Sequence, residues 1–178
     1  MNDKLKDFIE QNIDLIEENK FEELYSKIPT YQVTSYSFIC GLSLALLKAG
    51  INPLQYMSTV PKYFLFESNV ATIDVPVGVQ QIDNDAFAYC EQLTEVSLPE
   101  GLSVIGDAAF YMCSNLTTLI LPSTLTQIQD GAFGWCDKLV NIHFRGTVDQ
   151  WLHVNEEDDS LRTVATRIIC SDGIFDFE

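Results

Sequence analysis

The chain has 178 residues, 47% of them hydrophobic, so it can bury a core and is not a disordered tail. Its 26 Asp and Glu outweigh 10 Lys and Arg, for a net charge of −16. That charge aids solubility, repels nucleic-acid phosphates and anionic lipid, and leaves a protein with a basic surface as the better-matched partner.

Taken in order, the first twenty residues are charged and periodic, with no basic, apolar and small-residue leader pattern. Leu5, Phe8, Ile9, Ile13 and Ile16 follow helical spacing. Phe21, Leu24, Tyr25 and Ile28 form a second short helical face, stopped by Pro29. Phe38 to Ala49 reads as a third helix, with Gly50 placed for a left-handed C-cap. Its apolar stretch contains Ser43 and stops at Lys48, too short to span a bilayer. No membrane partner is therefore expected, and the chain as written reads as cytoplasmic. Asn52 and Pro53 start a last short helix, Asn as N-cap and Pro at the first position, ending near Pro61. Residues 1–66 are thus expected to form a small all-helical unit, either a cap for the rest of the chain or a separate recognition head.

Residues 67–178 carry a repeat. Three ungapped blocks begin at Ile82, Ile105 and Ile128, 23 residues apart. Their skeleton is I-x-x-x-A-F-x-x-C-x-x-L-x-x-(V/L/I)-x-(L/F). A half unit precedes them, with Val70, Ile73, Val75 and Pro76 aligned to Leu93, Val96, Leu98 and Pro99. Alternation in Val96-Ser97-Leu98 and Ile142-His143-Phe144 predicts a strand with one buried face. Phe and Cys three apart predict one face of a single helical or 3₁₀ turn. Pro99 and Pro122 end the strands. A unit this small cannot bury its apolar side alone, so the units must stack around one shared core.

This skeleton resembles the BspA-type leucine-rich repeat family over roughly residues 68 to 173. The fold expected is an α/β repeat solenoid behind a helical N-terminal cap. Phe144-Arg145-Gly146-Thr147, Gln150-Trp151 and Ile169 to Gly173 resemble the way such arrays close. The resemblance implies protein–protein interaction and, in surface-anchored members, adhesion. The phrases AGINPLQYM and VPKYFLFES, in a helical segment before a short array, are similar to proteins of bacteriophage and prophage origin. That similarity implies a non-catalytic inhibitor of a host factor, such as a CRISPR nuclease, acting in the host cytoplasm. The alternatives are a surface adhesin and a self-assembling structural module.

The five cysteines are an odd count, against a complete disulfide framework. Cys90, Cys113 and Cys136 form a column without C-x-x-C pairs, so they read as core rather than metal ligands. Cys40 and Cys170 read the same way. His143 and His153 lack a nucleophile or acid at motif spacing, so no catalytic residue and no cofactor is expected. The acidic run Glu156 to Asp159 lacks calcium-loop spacing and reads as a solvated loop.

Two candidate binding surfaces remain. The strand face should present Thr72 and Asp74, Glu95 and Ser97, Thr118 and Ile120, then Asn141 and His143. A second column holds Tyr89, Met112 and Trp135, with Tyr111 beside it, where the repeat usually has a small or polar residue. These side chains either bind a partner or pack on one another.

Overall fold

The computed structural model describes residues 3–28, 36–156, 161 and 165–177. Helices come first. α1 (Asp3–Gln11) buries Leu5 and sets Phe8 edge-on to Phe38, 5.3 Å between centroids. The helix expected to run on through Ile16 breaks at Asn12, whose amide donates to the Phe8 carbonyl at 2.9 Å. α2 (Ile13–Glu17) restarts with its face rotated, so Ile13 is exposed while Leu15 and Ile16 are buried. α3 (Phe21–Ser26) buries Phe21 and Leu24, and the expected stop at Pro29 lies outside the described residues.

α4 (Tyr36–Lys48) ends as its glycine predicts. Gly50 sits at φ 80°, and the Ile51 amide donates to the Leu46 carbonyl at 2.9 Å. Ser43 is buried yet satisfied: its hydroxyl donates to the Ile39 carbonyl at 2.9 Å and meets the Tyr25 hydroxyl at 2.7 Å. Asn52 accepts from the Leu54 amide at 3.1 Å, but the element it starts is a single 3₁₀ turn, Pro53–Tyr56.

The stack begins immediately afterwards. One ladder is wholly parallel, in the order β1 (Thr59–Val60), β2 (Gln81–Ile82), β4 (Val104–Ile105), β6 (Gln127–Ile128) and β8 (Asn155–Glu156). The other runs β3 (Glu95–Ser97), β5 (Thr118–Leu121), β7 (Asn141–Phe144) and β9 (Arg167–Ile169), closed by antiparallel β10 (Ile174–Asp176). Ile82 pairs Ile105 and Ile105 pairs Ile128, so the sequence repeat is the strand register. Between the ladders the fully buried Phe87, Phe110 and Phe133 form one stack.

The segment read as a helical turn folds otherwise. Asp85, Tyr89, Ala108, Met112 and Trp135 have φ between 51° and 61°, a left-handed conformation that breaks any helix. The amides of Asp85, Phe87 and Tyr89 donate to Asp107, Ala109 and Tyr111 on the next coil at 2.7–2.9 Å. A helix would consume those amides within the coil; here they join coils instead. Phe and Cys still share the inward face, as the spacing requires. Each column thiol donates to a carbonyl of the preceding coil: Cys90 to Leu65 at 3.0 Å, Cys113 to Phe87 at 3.3 Å, Cys136 to Phe110 at 3.2 Å.

The first coil is imperfect. Ser68, 22 residues before Cys90, stands 3.5 Å from its thiol in the cysteine's place. One residue is therefore missing before Val70 rejoins the repeat, and Thr72 to Asp74 form no strand. The far end closes with α5 (Val148–Trp151). Thr147 and Gln150 form a reciprocal cap, and the Val148 amide donates to the Asp172 carboxylate at 2.8 Å. Glu157, Asp158 and Asp159 of the acidic run lie outside the described residues.

Candidate functional site

Parallel pairing turns the outward residues of each strand into transverse rows. Glu95, Thr118 and Asn141 form one row. Ser97, Ile120 and His143 form the next, and the register carries it on to Ile169 and Ile174. Ile169 is 41% exposed and Ile174 53%, with Ile120 and His143 half-buried beside them. Six of the eight strand-face candidates are thus brought onto one sheet. Thr72 and Asp74 are exposed but stand off it, for want of a strand in the first coil.

Arg145 braces one border of this face. Its guanidinium donates to the Leu98 carbonyl at 2.6 Å and the Ser97 hydroxyl at 3.0 Å, two coils back, and lies 3.9 Å from Glu100. Ser97 is therefore partly engaged. Arg167 and Asp176 pair across β9 and β10 at 3.4 Å. Ile169 and Ile174 were missed in the sequence because Ile168 and Ile169 are adjacent, which hides the alternation that places only Ile168 inside.

The aromatic column resolves into two kinds of residue. Tyr89 lies against Phe66 at 5.3 Å and against Tyr111 at 5.7 Å. Phe66 continues to Tyr63, and Lys62 sits 4.8 Å over the Tyr63 ring. Tyr111 rests on Gly134, where a Cβ would come within 3.1 Å of its ring. Tyr89 and Tyr111 are therefore half-buried and held by packing within the column. Met112 is half-buried, and Trp135 alone stands out, 63% exposed.

His143 lies in the strand-face row, while His153 is exposed and bonds the Asp149 carbonyl at 2.7 Å. Among the described residues, neither histidine is hydrogen-bonded to a nucleophilic side chain. No helix among the described residues is long and apolar enough to cross a membrane.

A stack of coils repeating every 23 residues, with parallel strand ladders around one apolar core, defines a leucine-rich-repeat solenoid. The chain belongs to the BspA type leucine rich repeat family, whose model matches in six copies over residues 58–153. Such repeats generally serve as non-enzymatic scaffolds that bind other proteins or surfaces. Among solved structures it is similar to a T. pallidum leucine-rich repeat protein, at 34% identity and TM-score 0.40, covering 43% of this chain and 35% of that one. A leucine-rich cell surface protein of Faecalibacterium prausnitzii matches at 23% identity and TM-score 0.39, covering 49% and 35%. The pneumococcal vaccine antigen PcpA matches at 22% identity and TM-score 0.52, covering 68% and 32%, and shares the fold. The chain spans about a third of the length of each of these proteins. No curated protein matches it.

Proposed function

We propose that the chain is a non-catalytic binding module that docks a protein with a basic surface on the outer face of β3, β5, β7, β9 and β10. The carrying observation is the row Ile120, His143, Ile169 and Ile174, three isoleucines interrupted by one imidazole, on a protein of net charge −16. The isoleucines supply the desolvated centre of an interface, and the net negative charge of the whole chain supplies steering toward a cationic partner. Trp135 offers a second, separate anchor.

A narrower reading takes the partner to be a host nucleic-acid-handling protein, such as a CRISPR nuclease, and this chain to be its phage- or mobile-element-encoded inhibitor, acting in the host cytoplasm. Its support is the charge, which suits a phosphate-binding groove. Self-assembly is favoured by one observation: β10 is an edge strand carrying exposed Ile174, and edges pair with further strands.

The test is capture from source-cell lysate by the full chain and by an Ile169→Arg, Ile174→Arg double variant whose thermal unfolding matches. A protein held at low salt, released at high salt and absent from the variant supports the face. Identical captured sets for both chains would remove it. Concentration-dependent light scattering separates self-assembly, and in-vitro cleavage by a captured nuclease tests inhibition.

A further inference from the structure

The imperfect first coil leaves a cavity of about 320 Å³ where α4 and the 3₁₀ turn meet the stack. Its origin is local. Elsewhere the second strand of each coil packs inward, and Val96, Leu119 and Ile142 are 1% exposed or less. Their counterpart Ile73 is only half-buried, because Thr72 to Asp74 do not join the ladder. The stack therefore gapes at this seam, and the helical segment bridges the gap without filling it.

The chemistry of the walls is simple. Phe64 and Phe87, edge to face at 6.2 Å, form a buried floor with Leu54. Leu47, Val70 and Ile73 line the sides. Apolar walls of this kind favour contact with apolar matter over contact with water.

The mouth is polar and one-signed. Asn52 is already committed: its amide donates to the Asp74 carbonyl at 3.2 Å and its oxygen accepts from the Leu54 amide at 3.1 Å. Thr72 and Asp74, both exposed, are among the lining residues, and neither side chain has a hydrogen-bond or ion-pair partner among the described residues. An incoming head group therefore meets a free carboxylate, in a chain of net charge −16.

We propose that this seam cavity binds a small amphiphile with an apolar body and a cationic head, the body lying on Phe64 and Phe87 and the head pairing with Asp74. A cavity of about 150 Å³ holds benzene, so this volume accommodates a body of about a dozen non-hydrogen atoms. The proposal does not rest on partner docking at Ile169 and Ile174, since β9 and β10 lie at the opposite end of the ladder from this coil.

Three probes of one length separate the terms: nonylamine, nonan-1-ol and nonanoate, titrated calorimetrically into the full chain. Nonylamine should bind about threefold or more tightly than nonanol, the range of a partly exposed ion pair, and nonanoate weakest. Asp74→Asn should bring nonylamine down to nonanol. Val70→Phe, which fills the cavity from its side, should block all three. Methyl resonances of Leu47, Val70 and Ile73 in the unmodified chain should shift on saturation, a readout that needs no variant to fold. Absence of saturable binding by any probe overturns the site. Equal affinity for nonylamine and nonanoate overturns the cationic head, and binding without those methyl shifts overturns the location.

Discussion

Phe110 and Phe133 lie one coil apart with ring planes 3° from parallel and centroids 5.3 Å apart. The strand ladders impose that spacing, since hydrogen-bonded neighbours sit about 4.8 Å apart, and offset rings tolerate it well. Phe87 extends the stack at 5.1 Å, so Phe110 is held from both sides. Phe110→Ala should cost about 3–5 kcal/mol in urea unfolding, the range for a buried phenylalanine. Phe110→Leu should cost clearly less, because it keeps most of the volume. Equal costs would mean that the ring stack, rather than the filled volume, supplies the stability.

The thiol column makes the protein sensitive to alkali. Burial pushes the Cys90 thiol up, and the neighbouring Cys136 thiol together with burial holds Cys113 well above the ordinary range. Burial raises Cys40 to about 11. These groups keep their protons in the folded chain where the unfolded chain, with thiols near about pH 8.5, releases them. Their stabilising contribution is therefore complete below about pH 8.5 and is lost as pH rises toward about 11, by up to about 1.4 kcal/mol per pH unit for each thiol. Urea midpoints measured across that window should fall, and a Cys90→Ala, Cys113→Ala variant should fall less steeply.

Trp135 and Tyr89 occupy the same repeat position and the same left-handed backbone, φ 61° at each, yet they should respond oppositely to replacement. Left-handed geometry costs a non-glycine residue about 1–2 kcal/mol. Trp135 is exposed, so Trp135→Gly should leave stability unchanged or raise it slightly. Tyr89 is wedged between Phe66 and Tyr111, so Tyr89→Gly should lose packing and destabilise. Thermal unfolding of both variants checks this. If Trp135→Gly unfolds the array, Trp135 is a structural residue and no longer a candidate partner anchor.

The periodic parts of this molecule were legible because one interval sets both sequence and register. Ile82, Ile105 and Ile128 read as equivalent and are hydrogen-bonded neighbours. What escaped were features that break the interval. The deletion before Val70 conceals that Ser68 substitutes for a cysteine and that Thr72 and Asp74 leave the sheet. The A-F-x-x-C stretch also misled, since inward Phe and Cys three apart suit a helical turn and a run of tight turns equally. Only the destination of the amides separates the two, and that is a relation between coils. Of the strand face, Glu95 to His143 could be read from alternation, whereas Ile169 and Ile174 depend on a closing strand with no repeat behind it.

Gly146 governs the closing end through a steric argument that has nothing to do with backbone freedom. A Cβ there would fall 2.4 Å from Phe144 Cε1 and 2.8 Å from Gln150 Oε1, the oxygen that accepts from the Thr147 amide. Gly146→Ala must therefore displace the Phe144 ring, which packs against Trp151 at 5.3 Å, and loosen the α5 cap. Overpacking of this kind costs about 1–3 kcal/mol. The chain has 2 tryptophans, and Trp135 is exposed while Trp151 is 5% exposed, so a Trp135→Phe background leaves emission from Trp151 alone. In that background Gly146→Ala should shift the emission to the red. Adding Phe144→Leu, which removes the ring the new methyl strikes, should recover part of the stability, giving the non-additivity expected of residues in contact. Strict additivity would show that the two side chains do not collide and that the glycine serves some other need.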